Sequence, residues 1–229
     1  MKTIGIVGGI GPESTVDYYR FILARAPELG ASRHPSILIK STDQALLMAL
    51  AGAGDLEGLA AALVCEVELL ARGGADLAIL AANTPHMVFD QVQARSSIPL
   101  VSIVTATCEA AAALGLTRLG LLGTRYTMQG RFYPDVFTPR GMSIVVPRAA
   151  DLEYVHEKYV QELVPGRFLD VTRSGLVQVM DHMREQDDID GVILGGTELP
   201  LILRDVAYPL PMLDTTHIHV DAAIAAAMT

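Results

Sequence analysis

The chain has 229 residues, 51% of them hydrophobic and none tryptophan, and its 17 Lys and Arg against 26 Asp and Glu give a formal net charge of -9. That length suits one large α/β domain or two small lobes, because domains cluster near about 100 to 150 residues, and the apolar share argues against a disordered polymer. The scattered cations form no stripe that could release counterions from a nucleic acid or an anionic membrane, so neither is expected as a partner.

The opening stretch MKTIGIVGG enters a strand at once, without the charged region, long apolar run and cleavage site of a signal peptide, so a soluble, cytoplasmic protein is expected. No later apolar run approaches the roughly 20 residues that a spanning helix needs. The first strand, predicted over 3–7, runs into GIVGGIGPEST. That loop lacks both the spacing of a dinucleotide fingerprint and the lysine of a P-loop. It reads as a tight turn, with Pro12 opening a helix over 13–26 and Ser14 or Thr15 bonding locally, or as a receptor for a small carboxylate around Gly9. A strand over 36–40 follows, then Asp43 and Gln44, then a helix over 56–72.

The strand predicted over 77–80 ends in AANTPH. Asn83 and Thr84 stand where a helix starts, Pro85 takes its first position, and His86 lies in its first turn. Capping explains this pattern, but an amide, a hydroxyl and oriented backbone donors also make a carboxylate receptor. A short strand over 100–103 and a helix over 105–114 lead to the strand over 119–122, whose end GTRYTM repeats the offer with Thr124 and Thr127. A strand over 143–146 and helices over 152–163 and 171–184 precede the strand over 191–194, which ends in GGTELP with Thr197. A strand at 212–213 and a helix over 216–227 close the chain. Alternating strands and helices argue for parallel sheets with helical crossovers.

Cys65 and Cys108 lie inside helical segments and are expected to be buried thiols rather than a disulfide framework. In DTTHIHVD, residues 214–221, a spacing of two on a helix points His217 and His219 about 200° apart, so no metal site is expected. IGIVGGIGP is echoed by LGLLGTRYT, and LAILAANTP by GVILGGTEL. The chain therefore divides into two similar α/β lobes, expected at 1–98 with 210–229 and at 99–209. In open parallel sheets, ligands sit outside the carboxyl ends of strands, where these four loops fall.

GGIGPESTVDYY, ANTPH, LLGTRYTMQGRFY, ELVPGR and GVILGGTELPLIL occur in the order and context of the aspartate/glutamate racemase family, which this chain resembles over nearly its whole length. The resemblance implies two pseudo-twofold-related lobes with a ligand cleft between them, commonly in a homodimer, and cofactor-independent proton chemistry at the α-carbon of a small acidic substrate. Carried over by position, Asn83, Thr84, Thr124, Thr127 and Thr197 resemble the groups that hold the substrate's carboxylates. Racemases of the family typically place a cysteine before each of the two loop motifs, where this chain has Ala82 and Gly196. Two thiols on opposite faces of a carbon remove a proton from one side and return it to the other, which alanine and glycine cannot do. The arginine often found after the second strand is also absent, leaving Arg167 or Arg125 as the basic group for a distal carboxylate. His86, Glu198, Glu13 and Tyr133 remain as proton carriers, with His86 and Glu198 preferred. The resemblance then implies a diverged isomerase or lyase acting on an acidic amino acid or related carboxylate. The alternatives are a carboxylate-binding pseudoenzyme and a racemase deprived of its cysteines.

Overall fold

The computed structural model describes residues 1–229. Eight strands form two parallel sheets of four. The first holds β1 (Ile4–Gly8), β2 (Ile37–Ser41), β3 (Leu77–Leu80) and β4 (Leu100–Val101) in the order β2-β1-β3-β4. The second holds β5 (Arg118–Gly123), β6 (Ser143–Val145), β7 (Gly191–Gly195) and β8 (Met212–Asp214) in the order β6-β5-β7-β8. The order is the same in both, as the sequence echo requires.

The helices are α1 (Pro12–Glu28), α2 (Gln44–Ala53), α3 (Leu56–Arg72), α4 (Phe89–Arg95), α5 (Ile103–Ala113), α6 (Arg125–Gln129), α7 (Phe132–Phe137), α8 (Ala149–Lys158), α9 (Asp170–Asp187), α10 (Leu199–Leu203) and α11 (Thr215–Met228). In α3 the side chain of Asp55 caps the start by accepting from the Gly58 N–H at 2.9 Å, and Leu59, Leu63, Val67 and Leu70 make the buried stripe. Such a face, one apolar residue every three or four, docks a helix on a sheet. No helix is long and apolar enough to cross a membrane.

The compact units are Met1–Ala106 with Thr216–Thr229, and Thr107–Thr215. Both junctions thus fall downstream of the expected division at 98/99 and 209/210. The reason is strand pairing: β4 pairs with β3 and stays with the first sheet, while β8 pairs with β7 and stays with the second.

In the first unit, Val7, Ala78 and Leu80 face α2 and α3, whereas Ile4, Ile6, Leu77 and Ile79 face α1 and α11. Alternation along each strand sorts these residues to opposite faces. In the second unit, Leu122, Val192 and Leu194 pack with Leu152, Val155, Tyr159 and Leu163, and with Leu176, Val179 and Met180 of α9. The helix expected over 152–163 is α8 followed by a π-helical turn at Tyr159–Leu163. Cys108 is buried as expected, but Cys65 is exposed, because it lies off the buried stripe of α3.

An aspartate clasp opens the central strands of each sheet. Asp76 Oδ2 accepts from the Thr3 N–H at 2.6 Å, and Asp190 Oδ2 accepts from the Thr117 N–H at 2.7 Å, both across 73 residues. Asp190 also accepts from the Thr117 hydroxyl and the Arg118 N–H. A hydrogen bond to a charged group contributes about 1.5 to 3 kcal/mol, so Asp190→Ala is expected to cost about 2 kcal/mol or more and Asp76→Ala less. Urea unfolding of the two variants checks the order.

Candidate functional site

Strand pairing brings the four small-residue loops together in twos. Val7 is registered with Leu80, so the loops after β1 and β3 leave adjacent strands at one level; Gly123 is registered with Gly195, so the loops after β5 and β7 do the same. A Cβ at Gly123 would lie 2.6 Å from the Gly195 carbonyl oxygen, so the close approach there requires glycine.

In the first unit, Gly9 has φ +80, and a Cβ there would meet the Thr42 nitrogen at 2.8 Å. Its N–H donates to Thr15 Oγ1 at 2.8 Å, and that hydroxyl donates to the Gly11 carbonyl at 3.0 Å. The local bonding expected of Thr15 closes the loop on itself. Glu13 is exposed. Asp43 caps α2 and Gln44 donates to the Ile10 carbonyl at 2.6 Å, which gives both residues after β2 structural partners.

After β3, Ala82 and Asn83 lead into a 3-10 turn at Thr84–Val88. Asn83 has helical φ and ψ and does not cap that turn with its side chain. Asn83, Thr84 and His86 are all buried. His86 Nδ1 lies 3.0 Å from the Ala82 carbonyl oxygen and must therefore carry the proton; Nε2 accepts from the Ile103 N–H at 3.1 Å. The ring stacks on Phe89 and sits edge-on to His219, with centroids 5.1 and 5.9 Å away. Both nitrogens are engaged by backbone, so the imidazole ties the β3 loop to the start of α5.

Burial, and then the neighbouring His219, lower the His86 pKa to about 3, against the opposing effect of its backbone bonds. Burial lowers His219 to about 4. His219 Nε2 donates to the Val101 carbonyl at 2.9 Å and Nδ1 accepts from the Tyr18 hydroxyl at 2.8 Å. Folded pKa values below the unfolded value of about 6.5 mean that the unfolded chain takes up protons first as pH falls. The stability gained by keeping these rings neutral is complete above pH 6.5 and is lost as pH falls toward 4 and 3. Each histidine contributes a slope of up to about 1.4 kcal/mol per pH unit. Urea midpoints between pH 6.5 and 5, where carboxylates remain mostly ionised, should therefore fall steeply, and His219→Gln should shallow the slope. A flat response in that window contradicts it.

In the second unit, Thr124 caps α6, its Oγ1 accepting from the Thr127 N–H at 3.2 Å and lying 3.2 Å from Thr127 Oγ1. Thr127 is fully buried and Thr124 half-buried. After β7 come Gly196, Thr197 and Glu198, all buried. Glu198 Oε2 accepts from the Thr197 hydroxyl at 3.0 Å and from the Tyr159 hydroxyl. Burial first, and then the adjacent Glu198 charge, push the Tyr159 phenol well above its ordinary pKa, so it stays protonated. Tyr133 is fully buried in α7, where burial pushes its phenol up as well.

A Cβ placed on Gly196 would lie 2.6 Å from the Tyr159 hydroxyl oxygen and 2.7 Å from its Cζ. The space that a side chain at 196 would take is filled by Tyr159. Sequence reasoning missed this residue, although two signals were present: Leu152, Val155 and Tyr159 form one buried helical stripe, and a glycine in a buried loop leaves a volume to be filled.

Arg167 is exposed, and its guanidinium donates to the Gln161 carbonyl. Arg125 pairs with Glu153 at 2.5 Å. No group of three or more His, Cys, Asp or Glu side chains is placed to hold a metal ion. His217 instead lies against Phe21, with ring centroids 4.0 Å apart. Chemically the arrangement is asymmetric. The first unit offers an amide, a hydroxyl and an imidazole whose two nitrogens are held by backbone beside an alanine, whereas the second offers hydroxyls together with a buried phenol hydrogen-bonded to a buried carboxylate.

A family model described as Asp/Glu/Hydantoin racemase matches residues 7–223. A putative Asp/Glu racemase from Yersinia pestis superposes with a TM-score of 0.89 at 32% identity, covering 100% of both chains. An aspartate racemase homologue from Pyrococcus horikoshii OT3 gives a TM-score of 0.85 at 34% identity, again over 100% of both chains. The broad specificity amino-acid racemase RacX of Bacillus subtilis (strain 168) is 23% identical over 93% of this chain and 92% of its own. With that family model matched over residues 7–223 and two parallel four-stranded sheets, the chain belongs to the Asp/Glu/Hydantoin racemase family.

Proposed function

We propose that this family member binds an acidic amino acid or a related small dicarboxylate and performs proton chemistry at its α-carbon from one side, as an isomerase or lyase rather than a two-thiol racemase. The observation that carries this reading is the asymmetry of the loops. The resemblance assigns Asn83 and Thr84 in one unit and Thr124, Thr127 and Thr197 in the other to the carboxylates. Of the positions where it places thiols, Ala82 has beside it only His86, whose two ring nitrogens are both engaged by backbone, whereas Gly196 has Tyr159 and Glu198 beside it. The relatives named as amino-acid and aspartate racemases support the substrate class. The resemblance adds a homodimer working without a cofactor, and the sequence reading adds a cytoplasmic location.

Glu198 is favoured over His86 as proton carrier, because both nitrogens of His86 are already bonded to backbone. Tyr159 also argues against a racemase stripped of its cysteines, since a side chain at 196 would collide with the phenol. The engaged His86 gives some support to a second reading, a carboxylate-binding pseudoenzyme, which differs only in lacking turnover.

The first test is binding. Aspartate, glutamate or malate at about 100 times its dissociation constant should stabilise the fold by roughly 2.7 kcal/mol, seen as a rise in thermal midpoint. No shift with any of them at millimolar concentration would remove the basis for this function.

A further inference from the structure

The geometry points to Tyr159 and Glu198 as a proton-relay pair that has taken over the place of a side chain at position 196. The inference rests on the function proposed above and deepens it by naming the groups that move the proton. Three observations converge. Gly196 has no side chain, and the Tyr159 hydroxyl lies 2.6 Å from where its Cβ would be. That hydroxyl donates to Glu198 Oε2, and Thr197 Oγ1 donates to the same oxygen at 3.0 Å. Tyr159 also opens the π-helical turn Tyr159–Leu163, a departure from regular helix often found at functional sites.

In the forward step a C–H bond next to the ligand's carboxylate or carbonyl breaks (at Cα in an amino acid, at the carbon beside the ketone in a 2-oxo acid) and its hydrogen passes as a proton to the phenolic oxygen, while the phenolic proton crosses to Glu198 Oε2. The electron pair stays on the ligand carbon and delocalises into the adjacent carboxylate or carbonyl. Glu198 changes from carboxylate to carboxylic acid, and tyrosine is neutral before and after. The reverse step returns a proton to the same face, so the pair exchanges hydrogen without inverting the carbon. No oxidant, reductant or cofactor enters. A carboxylate is a modest base, so the pair suits a carbon already acidified by a neighbouring carbonyl. A small 2-oxo dicarboxylic acid should therefore exchange faster than an amino acid of the same length.

The test is hydrogen exchange in heavy water, read by NMR, with aspartate, glutamate and 2-oxoglutarate as probes and with thermal shifts recorded in parallel. The native protein should exchange hydrogen next to the carbonyl of 2-oxoglutarate fastest, and should exchange the amino acids more slowly and with retained configuration. Tyr159→Phe, which keeps the ring and removes only the hydroxyl, should lower the exchange rate about 100-fold or more while leaving the ligand-induced shift in place. Glu198→Gln should do the same. Exchange in Tyr159→Phe at the native rate would overturn the pair and leave the proposed function standing. A native protein that is stabilised by the probes but exchanges none of them would overturn the pair together with the proton chemistry, leaving a carboxylate binder.

Discussion

Free aspartate and glutamate incubated with this protein in heavy water should show no inversion at the α-carbon at a rate within about 100- to 10,000-fold of a two-thiol racemase. The range is the loss typically caused by removing one positioned acid or base. Racemisation needs a proton carrier on each face of the carbon, and the position to which the resemblance assigns one of the two thiols is Ala82, which carries no proton. The two cysteines present cannot supply one: Cys108 is buried and its sulfur lies 3.7 Å from the Val136 carbonyl oxygen, while Cys65 is exposed on α3. Burial moreover raises the Cys108 pKa, away from the reactive thiolate. Deuterium incorporation accompanied by a change in optical rotation, at a rate comparable to an ordinary family racemase, would contradict this expectation.

Restoring the thiols should fail unless Tyr159 is changed as well. Gly196 is absent from the glycines with positive φ, so a side chain there is not opposed by backbone conformation. It is opposed by the phenol. Overpacking a filled core typically costs about 1 to 3 kcal/mol, and Gly196→Cys is expected to fall in that range. Tyr159→Val alone leaves a cavity and should also destabilise, by a comparable or larger amount. Combined, the sulfur enters the vacated space, so the two changes should couple favourably by about 1 to 3 kcal/mol, as residues in contact do. Ala82→Cys with Gly196→Cys should remain without racemase activity, whereas adding Tyr159→Val should produce α-carbon exchange with inversion. A double-mutant cycle measured by urea unfolding reads the coupling directly. Strict additivity would mean that the phenol does not occupy the contested space.

Much of this was legible from the chain itself, because strand ends are local features. Each of the eight strands was predicted within a residue or two of its place, and the small-residue loops fall at the strand ends where ligands bind in such sheets. Less legible was α2, whose run QALLMALAGA is apolar on nearly every side and gives no helical stripe; Leu46 consequently remains half-exposed. The state of His86 depends on the Ile103 N–H, 17 residues downstream, and the role of Tyr159 on Glu198, 39 residues away. A motif shows which residues stand next to one another in sequence. It does not show which distant side chain fills the space beside one of them. Where the units divide is equally hard to read from the chain, since β4 and β8 are assigned by pairing partners rather than by their own short sequences.

The discontinuous first unit also sets an order of events during synthesis. Residues Thr107–Thr215 are contiguous, so the second unit has its full complement of strands and helices as soon as β8 leaves the ribosome. The first unit, begun earlier, is still incomplete then. One face of its sheet, with Ile4, Ile6, Leu77 and Ile79, is finished only by Val220, Ala223, Ile224 and Ala227 of α11. At a translation speed of about 5 to 20 residues per second, that apolar face waits roughly 7 to 30 seconds for its cover. During vectorial folding, the first half of the nascent chain is therefore the half whose apolar sheet face stays uncovered until the last helix is made.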